Sequence, residues 1–60
     1  MAAVLDLRAR VATRASGGGH DYEIKDAAGR LLASGWARGS RRDALAVARD
    51  HARHLGLEVA

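Results

Sequence analysis

The sequence predicts one α+β domain: a three-stranded antiparallel sheet packed against a single C-terminal helix, in the order β-β-β-α, with room for a short final strand. Three observations predict it. Period-two alternation fills the first 15 residues and returns on both sides of a turn signal at residues 26–29. A capped stretch with helical periodicity follows over residues 40–55. Finally, 60 residues suffice for one domain only, so residues 1–60 are taken as a single unit.

The first strand is carried by Leu5, Leu7, Ala9, Val11 and Thr13 on one face and Asp6, Arg8, Arg10 and Arg14 on the other. Val4, Leu7 and Val11 also share a helical stripe, which leaves a helix open over residues 1–15. Ser16-Gly17-Gly18-Gly19 is a turn, since glycine reaches positive φ at little cost. It lacks the spacing and the Lys-Ser/Thr pair of a phosphate-binding loop. Residues 20–26 form the second strand, Asp26-Ala27-Ala28-Gly29 the turn, and residues 30–37 the third strand. A hairpin closed about that turn sets Asp26 against Arg30, Ile24 against Leu32, Tyr22 against Ser34, and His20 near Trp36. That register gathers Tyr22, Ile24, Leu32 and Trp36 into a core with Leu45 and Leu55. Leu31 and Ala33 then share the outer face with Glu23 and Lys25, where they form a candidate protein interface.

The helix has Ser40 as N-cap, Asp43 three residues on to complete a capping box, and Gly56 as the C′ residue. Ala44, Leu45, Val47, Ala48, Ala52 and Leu55 make its apolar stripe, rich enough in Ala to lie close to a sheet. Leu57-Glu58-Val59-Ala60 alternates and suits a short edge strand.

Composition narrows the function classes. A chain this short buries only about 60% of its unfolded surface. Its core therefore points to self-association, as a homodimer, or to docking on a larger partner. There is no Cys, which excludes disulfides and thiolate metal sites and fits a reducing compartment. No apolar run reaches the length of a membrane span. The first 15 residues are too charged for a signal peptide, so a cytoplasmic protein is expected. Asp50, His51 and His54 have helical spacing for a metal but lack a third strong ligand, and neither metal nor cofactor is expected. No Ser sits in a nucleophile motif, and so small a core has no place for a deep dry pocket; the expected protein is non-catalytic.

The formal charge is +3, and nine of the ten basic residues are Arg. Arg42, Arg49 and Arg53 fall at nearly one angle on the helix, with Arg41 in its first turn and Arg38 just before the cap. Such a ridge can follow a phosphate backbone. Arg41 and Arg42 also sit where the helix macrodipole disfavours cations, a placement that binding would explain. Lys25 and Arg30 are lesser candidates. Trp36 with Tyr22 would stack a base if exposed, whereas the hairpin register makes both core residues.

The run Gly35-Trp36-Ala37-Arg38-Gly39-Ser40-Arg41-Arg42-Asp43-Ala44, continuing to Ala48, Ala52 and Leu55, resembles the C-terminal part of a double-stranded RNA-binding domain. It covers about a third of the chain, and it would give Arg41 and Arg42 the role of reaching phosphates across a groove. The strand-turn-strand and Ala-rich helix outline also resembles HicB-like antitoxins, which mask a toxin by protein contact. It is similar as well to the arm-binding domains of phage integrases, which lay a sheet in a DNA major groove. The expectation is therefore a small basic binding protein. Its first candidate ligand is nucleic acid, RNA or DNA, and its second is a protein partner met by the sheet edge or outer face.

Overall fold

The computed structural model describes residues 7–59, and the part of the first strand expected over residues 1–6 lies outside them. The elements are β1 (Arg8–Ser16), β2 (Gly19–Asp26), β3 (Leu31–Arg38), α1 (Arg41–His54) and a two-residue β4 (Glu58–Val59). The sheet order is β3-β2-β1-β4, antiparallel except for β4, which runs parallel to β1. The architecture is the α+β fold expected, with the short final strand formed.

Local chemistry accounts for each boundary. Gly17 and Gly18 both have positive φ, +51° and +82°, which a two-residue hairpin loop of matching twist requires. The turn after β2 is tied by the Asp26 carboxylate, which accepts from Ala28 N–H at 3.0 Å and Arg30 N–H at 2.8 Å. The capping box is complete: Asp43 N–H donates to Ser40 Oγ at 3.2 Å, and Ser40 N–H donates to Asp43 Oδ2 at 2.9 Å. The Ser40 backbone N–H first, and second its hydroxyl, which donates to Asp43 Oδ2 at 3.0 Å, hold the Asp43 carboxyl below its ordinary value of 3.8. At the other end Leu57 N–H bonds Ala52 O and Gly56 N–H bonds Arg53 O, both at 3.0 Å, the double closure of a helix ending in a left-handed residue.

The helix covers one face of the sheet. Its buried residues are Ala44, Ala48 and Ala52, one per turn. Ala48 and Ala52 meet Ala9, Tyr22 and Ile24, with Val11, Ala33, Leu57 and Val59 packed around the edge. Ile24 is the one large side chain that is fully buried among the described residues. The core is thus two large residues of β2 set among small ones.

The register corrects the expected core. Asp26 N–H does bond Arg30 O at 2.9 Å, and Lys25 does pair with Leu31, but a bulge between Ile24 and Lys25 then shifts the ladder by one. Ile24 pairs with Ala33, Tyr22 with Gly35, and Asp21 with Trp36. The extra residue turns Ala33, Gly35 and Ala37 toward the helix and Ser34, Trp36 and Arg38 away from it. Trp36 is therefore 47% exposed, and Leu32 and Leu55 are exposed as well, while Leu45 is half-buried. Ala33 also leaves the outer face expected for it, so only Leu31 remains there beside Lys25.

A steric cause favours this register. Tyr22 lies across Gly35 so closely that a Cβ there would fall 2.5 Å from its hydroxyl and 2.6 Å from Cζ. Its hydroxyl reaches His51 Nδ1 at 2.8 Å, and the two rings meet edge to face at 5.8 Å. Small residues on β3 and α1 make the space that Tyr22 fills. The unshifted register would instead have pushed the Trp36 indole under a helix whose contact residues are alanines.

Candidate nucleic-acid interface

The uncovered face of the sheet is built in rows by the strand pairing. Arg10, Lys25 and Leu31 form one row, and Ala12, Glu23 and Ser34 the next. Arg14, Asp21 and Trp36 form the third, and Ser16, Gly19 and Arg38 the last, beside the β1–β2 turn. Arg10, Arg14 and Arg38 are exposed and, among the described residues, have no ion pair. Lys25 lies 3.9 Å from Glu23, a weak exposed contact. Arg10 and Arg14 therefore lie on β1 and Arg38 at the end of β3; Lys25 and the carboxylates Asp21 and Glu23 lie on β2 between them, and Glu58 stands opposite Arg8 on β4.

Trp36 has a defined posture on this face. Its indole lies over Gly19, where a Cβ would fall 2.6 Å from Cζ2 and 2.8 Å from Cε2. Its Nε1–H donates to Ser16 O at 2.9 Å. The ring is thus held against backbone and fixed in rotation, with nearly half of the residue exposed to solvent. Arg38 stands two residues along the same strand face, and Arg14 ends the row that Trp36 begins.

The residues expected to bind nucleic acid are separated by the fold. Arg38 joins Trp36 on the outer face. Arg42, Arg49 and Arg53 do form one exposed ridge, but on the helix layer, where Arg49 and Arg53 stand beside Leu57, Glu58 and Val59. Arg41 is exposed as well, and its Nε donates to Thr13 Oγ1 at 3.3 Å, tying the first turn of the helix to β1. Arg30 lies at the far hairpin turn, 3.8 Å from Asp26. Of the histidines, His51 is taken up by Tyr22, His20 Nδ1 is 3.2 Å from Gly39 O, and His54 Nδ1 is 2.8 Å from Asp50 O and 3.6 Å from Asp50 Oδ2.

Arg10 and Arg14 lie outside the ridge that helical spacing suggests, although alternation sets them with Arg8 on one polar face. Exposure of Trp36 had a fainter signal, the run of small residues at Ala33, Gly35 and Ala37. No family model matches the chain, and no characterised protein or solved structure does either.

Proposed function

We propose that the chain binds single-stranded nucleic acid across the outer face of its sheet, stacking a base on Trp36 and holding the flanking phosphates with Arg10, Arg14 and Arg38. The observation that supports this reading is the Trp36 indole held against Gly19 on the uncovered face of the sheet while nearly half exposed. Stacking on such a platform is tolerant of sequence, because every base offers a π-face. Arg guanidinium groups suit the phosphates, as their planar forks donate in pairs. Asp21 and Glu23 repel phosphate from β2, so the strand's backbone follows the Arg residues on β1 and β3 while a base turns in over Trp36. The helix ridge of Arg42, Arg49 and Arg53 has no aromatic neighbour of this kind and adds general electrostatic attraction.

The second reading, a protein-interaction module, has one observation in its favour: among the described residues β3 is an open edge with exposed apolar residues near it. The two readings use different surfaces and are compatible.

Because the chain has a single Trp, its emission tests the stacking directly. Titration with a short unlabelled single strand should quench Trp36, and Trp36→Ala should weaken binding about 5- to 150-fold, the equivalent of roughly 1–3 kcal/mol for one stacked base. Binding that leaves the emission unchanged would sink the stacking role.

A further inference from the structure

We propose that the free edge of β3 is the self-association surface of this protein, pairing antiparallel with β3 of a second copy to make one continuous eight-stranded sheet. The two edges of the sheet differ in how they are guarded. On one side the outermost strand is the two-residue β4, which carries Glu58 and lies beside Arg49 and Arg53. A short, charged edge is a poor template for another strand. On the other side β3 runs for eight residues with neither proline nor, before Arg38, any charge. The bulge at Leu32 disturbs only the start of the strand, and from Ala33 to Ala37 neither proline nor charge guards the edge.

The ladder also fixes which backbone groups are available. Gly39 N–H bonds Gly18 O at 3.2 Å, and in that register residues 33, 35 and 37 turn their backbone groups to β2. The N–H and C=O groups of Ser34 and Trp36 face outward. Beside them lies an apolar row on the helix. Val47, His51 and Leu55 are spaced four apart, and His51 is bonded to the Tyr22 hydroxyl that passes over Gly35 of β3. The row therefore runs along the β3 side of the domain. Val47 is 45% exposed and Leu55 50%, with Leu32, the extra residue of the bulge, at 42%.

A second copy fits this surface better than a charged partner does. Over residues 31–37 strand pairing brings no like charges together, and a two-fold axis sets each apolar row against its equal. A standard interface takes about 800 Å² from each partner. That is roughly a sixth of the 4561 Å² surface of this chain, within reach of an eight-residue strand and three large side chains. Antiparallel pairing uses up the open edge of both copies, so assembly stops at two.

The test needs no nucleic acid, so its outcome is independent of the binding reading. Sedimentation equilibrium over a wide concentration range should show the mass rising from 6.3 kDa to twice that value and no further. Two variants should abolish the rise while keeping the far-UV spectrum. Ser34→Pro removes an N–H that faces outward and is tolerated on an edge strand. The double variant Val47→Lys, Leu55→Lys puts charge on the helix row and leaves the backbone alone, so it decides the matter should the proline variant fail to fold. A chain that stays at 6.3 kDa at millimolar concentration overturns the proposal. So does a dimer that survives the double lysine variant, or assembly beyond two copies.

Discussion

Replacing Gly35 with Ala places a methyl group where the Tyr22 ring now lies. The new Cβ would stand 2.5 Å from the Tyr22 hydroxyl, 2.6 Å from Cζ and 2.9 Å from Cε2, all inside contact distance. The ring has no easy retreat: it is buried, and its hydroxyl is held by His51 at 2.8 Å. Moving it breaks that bond and lifts the helix from the sheet. Overpacking of this kind costs about 1–3 kcal/mol. A lost hydrogen bond adds about 0.5–1.5 kcal/mol. The sum, roughly 1.5–4.5 kcal/mol, is a large part of the approximately 3–9 kcal/mol available to a chain of this size. Urea denaturation followed by far-UV circular dichroism measures it. In a Tyr22→Leu background the same change should cost much less, since the clashing atoms are gone. A Gly35→Ala variant within about 0.5 kcal/mol of the parent would refute the register and the packing derived from it.

Other changes probe the remaining links. Ile24→Ala removes the one large side chain that is fully buried among the described residues and should cost about 2–5 kcal/mol in the same assay. Ser40→Ala opens the capping box and should cost about 1 kcal/mol. The Asp43 carboxyl is held below 3.8 by its bonds from Ser40, so its contribution is complete above that pH. It is lost as the pH falls through the lowered folded value, and the stability gap between the parent and Asp43→Asn should close over that acid range. Gly19→Ala sets a Cβ against the Ala37 carbonyl as well as the Trp36 indole, so it should loosen the β2–β3 pairing there together with the Trp36–Ser16 bond and shift the emission to the red.

Much of this fold could be read from residue order because its signals are local. Alternation set Ala9, Val11 and Thr13 against Arg8, Arg10 and Arg14; Asp26 and Gly29 marked the turn; Ser40, Asp43 and Gly56 marked both helix ends. The bulge was not legible, since it arises from a long-range fit between Tyr22, Gly35 and the alanines of α1. One inserted residue reverses the facing of everything beyond it in β3, and so Trp36 passed from expected core to exposed face. The candidate site changed with it. Arg38 kept its place beside Trp36, whereas Arg42, Arg49 and Arg53 proved to belong to the other layer. Gly35 itself carried a hint, for a glycine inside a strand often marks close approach by another group.

Fluorescence anisotropy of a labelled single strand across a salt series, comparing two triple variants, separates the sheet face from the helix ridge. The account predicts that Arg10→Ala, Arg14→Ala, Arg38→Ala lowers the slope of log affinity against log salt by about 2, near 0.7 for each lost phosphate contact, and weakens binding at every salt concentration. Arg42→Ala, Arg49→Ala, Arg53→Ala should leave most of the slope in place. The reverse ranking, with binding lost in the helix variant and kept in the sheet variant, would contradict it.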